Sequence, residues 1–332
     1  MVAQKVTSVD PSIAFFPVEL RPLFMEINEE KDDRQQELFP SAREKYKLLP
    51  RHFAVVDIEK DHPFAVVTND YELVTNEDAY HQASDIMKKV FQNTKKEDMF
   101  CMNVTMPKTR SFCHIDLVHK STEFSPWEKD KWTAFLRITN SYNRTRLLRF
   151  EIGFCRWICL NGMIFGNKSI EFSYAHTRHG GYRVNRFIEN IKKIRELENQ
   201  LTEKLHQLQR YYVPKDSMLP ILCKAFDIQV LKDVYEKPKR VETLIAFRNQ
   251  TQKITEFYFS QMGPHGYAAL NVLTDYATRP EGVISPESSM HSLQEKCGNW
   301  TNDFISAISS NNFSFDRYLE DYRKTASIIE GL

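Results

Sequence analysis

The sequence predicts an α+β protein: a mostly antiparallel sheet in the N-terminal half, then a helical C-terminal half with one long helix. Three observations carry this. Between residues 113 and 154, apolar residues repeat at every second position, the mark of strands with one buried face. From residue 184 the apolar spacing becomes three and four, the mark of helices. Before residue 45, Pro11, Pro17, Pro22 and Pro40 interrupt a polar stretch that supports no long element.

In order, residues 1–48 read as an extended N-terminal arm with at most a short helix. Residues 49–182 read as a strand-rich α+β core, and 183–332 as a helical region packed on it. The core opens with strand-like runs at His52–Ile58, Pro63–Thr68 and Tyr71–Val74. Asn76-Glu77-Asp78 starts a helix carrying Ala79, Ala83, Ile86 and Val90 at helical spacing. Strands follow on Cys113-Ile115-Leu117, Ala134-Leu136-Ile138 and Leu148-Phe150-Ile152-Phe154, with a further one at Ile170–Ala175. Val184, Phe187, Ile191, Ile194, Leu197, Leu201, Leu205, Leu208 and Tyr212 then mark a helix of roughly 30 residues, about 45 Å long. Such a helix either pairs with a copy of itself or lies across its own sheet. Further helices are expected at Ser217–Phe226, Val241–Gln261 and Tyr267–Thr278. A loop at Arg279–Ser288 leads to two last helices near Asn302–Ser309 and Phe315–Ile329.

The chain of 332 residues is 42% hydrophobic and 27% charged. That excludes wholesale disorder and a disulfide-rich miniature fold. No apolar run approaches the roughly 18 residues of a spanning helix, so no membrane association is expected. Residues 1–10 show no basic-then-apolar leader, and six cysteines without a tight framework fit a reducing cytoplasm. The net charge of +1 hides an asymmetry: residues 1–100 carry −6, residues 101–250 carry +11 and residues 251–332 carry −4. A basic segment of this kind concentrates polyanions, unless its cations only decorate solvated faces.

Two runs carry a resemblance. Ile138-Thr139-Asn140-Ser141-Tyr142-Asn143 precedes Gly153-Phe154-Cys155-Arg156-Trp157-Ile158-Cys159-Leu160-Asn161-Gly162-Met163. Together they resemble the phage/plasmid-like family described as domain of unknown function 932, with its Asn-Ser turn and Arg-x-x-Cys-x-Asn-Gly signature. Phe64–Asn76 is similar to that family's opening hairpin, His179-Gly180-Gly181 to its histidine-glycine step, and Ala269–Tyr276 to a late helix. The resemblance spans roughly residues 50–280. It implies a mobile-element or prophage context and a cytoplasmic location, and it confers no activity.

Asn161-Gly162 after a strand is a strong turn signal. The signature therefore reads either as a tight turn between core segments or as Arg156 and Asn161 placed on a ligand or phosphate. Asn140, Asn161, Gly162 and His179 are its structural markers. Cys155, Cys159, His176 and His179 are zinc-type ligands in order, but the histidine gap is short and the cysteines lie in a strand-like run. No metal is expected from them. His114 and Asp116 share one strand face without a nameable nucleophile. No phosphate-binding loop, dinucleotide fingerprint, nucleophile elbow or His-Glu-x-x-His appears, so no catalytic residue and no cofactor is expected.

The basic block is the leading functional feature. Arg144, Arg146, Arg149 and Arg156 lie in the sheet region, and Arg178, Arg183, Arg186 and Lys192 at the start of the long helix, interleaved with aromatic residues. Cations that track phosphates and rings that stack on bases are the recipe for single-strand binding. The expected function is a non-enzymatic nucleic-acid-binding accessory protein of a phage, plasmid or prophage, acting in single-strand binding or annealing. The alternative is a mobile-element protein that inhibits a host defence or regulatory protein. Expected partners are single-stranded DNA or RNA, a second copy of the chain, and a host or phage protein.

Overall fold

In the computed structural model, residues 8–26, 46–91, 95–157, 161–165, 171–177, 188, 193–230, 232–281 and 286–332 are described. The alternating middle of the chain forms the larger of two antiparallel sheets. The smaller holds β1 (Val18–Glu26), β2 (Tyr46–Asp57) and β3 (His62–Thr68) in that order. The larger runs β4 (Met99–Thr105), β5 (Phe112–Trp127), β6 (Asp130–Ser141), β7 (Leu148–Arg156) and β8 (Gly162–Ile164). β9 (Glu171–Tyr174) pairs with the other end of the β7 edge that β8 uses.

Register gives the large sheet two faces of opposite character. Leu117 lies opposite Leu136, and Leu136 opposite Ile152; one residue along, Asp116 lies opposite Arg137, and Arg137 opposite Glu151. Because side chains alternate, the first row enters the main core and the second forms a buried polar row. His114, Thr139 and Arg149 make a parallel row beside it.

The apolar face is covered by helices. α1 (Asn76–Val90) lays Ala79, Ala83, Ile86 and Met87 on it. Its N-terminus is closed by Thr75 and Asp78, each bonding the other's backbone N–H, the reciprocal cap that an Asn-Glu-Asp run after threonine permits. α2 (Ile194–Arg210) adds Ile194, Leu201, Leu205 and Leu208 to the same core. α3 (Met218–Phe226) and α4 (Pro238–Met262) surround α5 (Gly266–Thr278), in which every residue from Gly266 to Ala277 is buried. α6 (Pro286–Ile308) runs against β8 so closely that a Cβ on Gly298 would fall 2.2 Å from the Ile164 carbonyl oxygen. Its Cys297, Trp300 and Phe304 join the apolar core, whereas its N-terminal half turns to the polar row. α7 (Phe315–Tyr318) and α8 (Glu320–Glu330) close the chain.

Three expectations change. Residues 8–26, expected as part of an extended arm with at most a short helix, hold one short 3-10 turn at Pro11–Ala14 and are then paired: β1 is an edge strand, which tolerates Pro22, and Phe16 packs on Tyr142. Within the long helix expected over 183–212, the described helix runs from Ile194 to Arg210, and its stripe is buried in the chain's own core. Of the other stripe residues, Tyr212 is exposed, and Val184, Phe187 and Ile191 lie outside the described residues. The helix expected near Asn302–Ser309 begins at Pro286, because the residues that lead it into the fold, His291, Gln294 and Glu295, are polar.

Candidate functional site

The signature residues are held by one face of α5, whose residues recur every fourth position. Arg156 Nε donates to Asp130 Oδ1 at 2.6 Å and Nη1 to Asn271 Oδ1 at 3.1 Å. The Tyr267 hydroxyl donates to the other oxygen of Asp130 and accepts from Trp132 Nε1 at 3.2 Å. Burial raises the Tyr267 hydroxyl well above its ordinary range. Asn161 Nδ2 donates to the Tyr258 hydroxyl at 3.1 Å, which donates to Asp275 Oδ2 at 2.8 Å. Arg279 reaches both Asn161 Oδ1 and Asp275 Oδ1. Arg156 and Asn161 thus lock the β7–β8 hairpin to α5. This is the structural reading of the signature, in which the Arg156 guanidinium is engaged by Asp130 and Asn271. Gly162 opens β8, with Gln294 beside it.

Asn140 also serves the fold. Its Nδ2 donates to the Val74 carbonyl at 3.0 Å and to Asn76 Oδ1 at 2.9 Å. Tyr142 accepts the Asn76 N–H at 2.8 Å and stacks on Phe64 of β3 at 5.3 Å. These contacts dock the small sheet and the start of α1 onto the end of β6. Ser141 closes the β6–β7 loop by accepting the Arg146 N–H at 3.1 Å and donating to its carbonyl at 3.2 Å.

That loop presents the described part of the basic block. Arg144 is exposed at φ 62° and donates to the Val66 carbonyl at 3.3 Å. Arg146 is half-buried with its guanidinium 4.3 Å from the centre of the Phe112 ring. Burial, with Arg149 nearby, lowers its pKa. Arg149 lies among Glu171 at 3.3 Å, Glu151 at 3.5 Å and Glu295 at 3.9 Å. Two clefts meet at Arg146 and Leu147. One, of about 440 Å³, is flanked by Arg144, His52, Tyr71 and His176. The other, of about 700 Å³, is flanked by Thr139, Arg149, His291 and Glu295. Arg178, His179, Arg183, Arg186 and Lys192 lie outside the described residues.

Behind the larger cleft, the buried polar row meets α6. Arg137, 1% exposed, donates to both oxygens of Asp116 at 2.7 Å and to Gln294 Oε1 at 2.6 Å. His114 Nδ1 lies 2.8 Å from Thr139 Oγ1, and its ring stacks on His291 at 5.2 Å. His291 Nε2 sits 3.6 Å from Glu151 Oε2 and 3.7 Å from Glu295 Oε1. Burial, then the charges of Arg137 and Arg149, pushes the His291 imidazole down to about 3, and burial lowers His114 well below its ordinary range. Burial raises the Glu151 carboxyl to about 7 and lifts Glu295 as well. A neutral imidazole beside buried carboxyl groups can ligate a cation. Glu151, His291 and Glu295 were not singled out by sequence. The available signal was a charged residue at every second position opposite an apolar strand face, and His291 and Glu295 one helical turn apart.

The zinc-type set does not assemble. Cys155 Sγ contacts Met102 Sδ at 3.2 Å beside β8, whereas His176 follows Tyr174, which pairs with Leu148. Seven residues of strand separate Leu148 from Cys155, roughly 23 Å. Cys159 and His179 lie outside the described residues. His114 and Asp116 do share a face, but Asp116 is engaged by Arg137.

Residues 63–296 match the family model for a domain of unknown function, DUF932, and the chain belongs to that family. No curated protein and no solved structure matches the chain.

Proposed function

We propose that the protein is a nucleic-acid-binding accessory protein of a phage, plasmid or prophage that takes single-stranded DNA or RNA across the β6–β7 loop. The observation that supports this reading is the meeting of two clefts at Arg146 and Leu147, with Arg144 and Arg149 on their rims. Arg144 is exposed on a loop, and Leu147 is 43% exposed beside it. Tyr71, stacked on His176 at 5.4 Å, offers a ring surface in the smaller cleft. Cations beside exposed apolar and ring surface suit a strand whose phosphates are tracked while its bases stack. The reading is narrower than the +11 charge balance implies. Arg137, Arg149 and Arg156 pair with carboxylates of the same chain, and among the basic residues that line the clefts Arg144 is the exposed one.

The test is anisotropy of short fluorescent single-stranded oligonucleotides across a salt series. Wild-type protein should bind at about 50 mM salt, where electrostatic attraction is strongest. The folded Arg144→Ala/Arg146→Ala variant should bind more weakly, with a salt slope shallower by about 1.4, or about 0.7 for each phosphate no longer neutralised. Absence of wild-type binding at about 50 mM salt overturns the reading, and inhibition of a host protein then leads.

A further inference from the structure

We infer that Glu151, His291 and Glu295 form a binding site for a first-row divalent cation of the manganese–zinc class, opening on the larger cleft. This is independent of the nucleic-acid reading. One atom from each residue lies within 4.8 Å of the other two, with His291 Nε2 at 3.6 Å from Glu151 Oε2 and 3.7 Å from Glu295 Oε1. A cation held at about 2.0–2.2 Å from each ligand at tetrahedral angles sets ligands about 3.4 Å apart. The two carboxylate oxygens lie within 4.8 Å of each other, and the two histidine–carboxylate separations are a few tenths of an ångström wider than the tetrahedral value. They are also too long for hydrogen bonds, so the three atoms face one another without bonding.

The group is more than an acidic patch. Glu151 is 2% exposed, and its Oε2, the oxygen facing His291, has no hydrogen-bond partner among the described residues. A buried carboxylate oxygen left in that state is costly, and a cation in the gap satisfies it. The other oxygen of Glu151 faces Arg149 at 3.5 Å, an outer contact of the kind that orients a ligating carboxylate. The His114 ring lies on the His291 ring at 5.2 Å, within 8° of parallel, and fixes its plane. Charge is permissive: Glu151, Glu171 and Glu295 outnumber Arg149 and the nearby Arg146, while the neighbouring Asp116–Arg137 pair cancels. His291 and Glu295 line the cleft of about 700 Å³, which supplies both an entry path and room for water in the remaining coordination positions. One imidazole and two carboxylates suit manganese or zinc better than a thiolate-preferring metal.

Tag-free protein is titrated with Mn²⁺ alone, and uptake is read from loss of the free-ion paramagnetic resonance signal; Zn²⁺ is then added as competitor. Thiols are poor ligands for Mn²⁺, so the cysteines do not mimic the site. The expected result is one Mn²⁺ per chain, displaced by Zn²⁺, with a melting temperature about 4 °C higher at a hundredfold excess over Kd. Glu295→Gln replaces a side chain that is 29% exposed, so this variant should fold. It should lose at least about tenfold in affinity, the loss that even outer-shell changes produce. Glu151→Gln should do the same. Uptake of Zn²⁺ alone, abolished in both variants, also supports the site. No uptake of either ion by wild type at about 1 mM, the weakest range of protein cation sites, overturns it. So does uptake unchanged in both variants.

Discussion

Asp116→Asn removes one charge from the middle of the polar row and keeps the side chain's shape. In the wild type, Asp116 and Arg137 are 2% and 1% exposed, joined by two bonds of 2.7 Å. The variant leaves a guanidinium buried with a neutral partner, and breaking a buried pair in this way costs about 3–5 kcal/mol. Unfolding entropy near 2.1 cal/mol/K per residue gives about 0.7 kcal/mol/K for a chain of 332 residues. The melting temperature should therefore fall by about 4–7 °C, measured by circular dichroism or calorimetry. Replacing both partners, Asp116→Leu with Arg137→Met, should recover most of the loss, since a buried pair is often no better than apolar residues of similar volume. The third bond of Arg137, to Gln294, ties α6 to the sheet. Asp116→Asn should therefore also speed amide exchange in the N-terminal half of α6. A fall below about 1 °C, where the buried-pair cost predicts several degrees, refutes the account. A double variant no better than the single one refutes it equally.

A Cβ on Gly153 would fall 2.2 Å from the Phe135 ring. Gly153→Ala should cost about 1–3 kcal/mol in denaturant melts, and Phe135→Leu in the same chain should recover part of it. His176 is held neutral below its ordinary pKa of 6.5 by burial, stacked on Tyr71. The unfolded chain takes up a proton that the native chain refuses, so this stability is full above pH 6.5 and is lost as pH falls below it, by up to about 1.4 kcal/mol per unit. Paired melts at pH 7 and pH 5 should show a shallower loss in His176→Phe. Leu201, 2% exposed in the core face of α2, should when changed to Glu unfold the chain. A soluble, folded Leu201→Glu protein of smaller mass in light scattering would show instead that the stripe is an interface between copies.

What sequence made legible follows from range. The period of two over β5, β6 and β7 and the period of three to four over α3, α4 and α5 are local signals, and those elements stand where the spacing put them. β1 was obscured by Pro17 and Pro22, because an edge strand and a loop look alike when only one side must pair. β4 at Met99–Thr105 carries no clean alternation, and its burial is mixed on both faces. The signature was visible, but its role was not. Arg156 and Asn161 find Asn271 and Tyr258 at separations of 115 and 97 residues, distances at which spacing says nothing. The pairing of the arginines was hidden for the same reason: the carboxylates that meet Arg137, Arg149 and Arg156 come from β5, β6, β9 and α6.

The polar face of the large sheet is where stability alone fails to account for the residues present. The opposite face fills its positions with Leu117, Leu136, Ile138 and Ile152, which bury apolar area at no polar cost. One residue along in register, the chain buries His114, Asp116, Arg137, Thr139 and Glu151 and then brings His291 and Gln294 onto them. Asp116, Arg137 and Gln294 satisfy one another, and by themselves they form a closed brace for α6. His114 Nε2, Glu151 Oε2 and His291 Nδ1 remain buried without hydrogen bonds among the described residues, and each is costly to leave so. A brace needs none of the three, and apolar residues of the same size would hold the helix more firmly. Such departures from local consistency concentrate where a protein binds or reacts. Three such groups gather on neighbouring side chains behind the larger cleft, which makes that cleft, rather than the signature between β7 and β8, the place to look for chemistry.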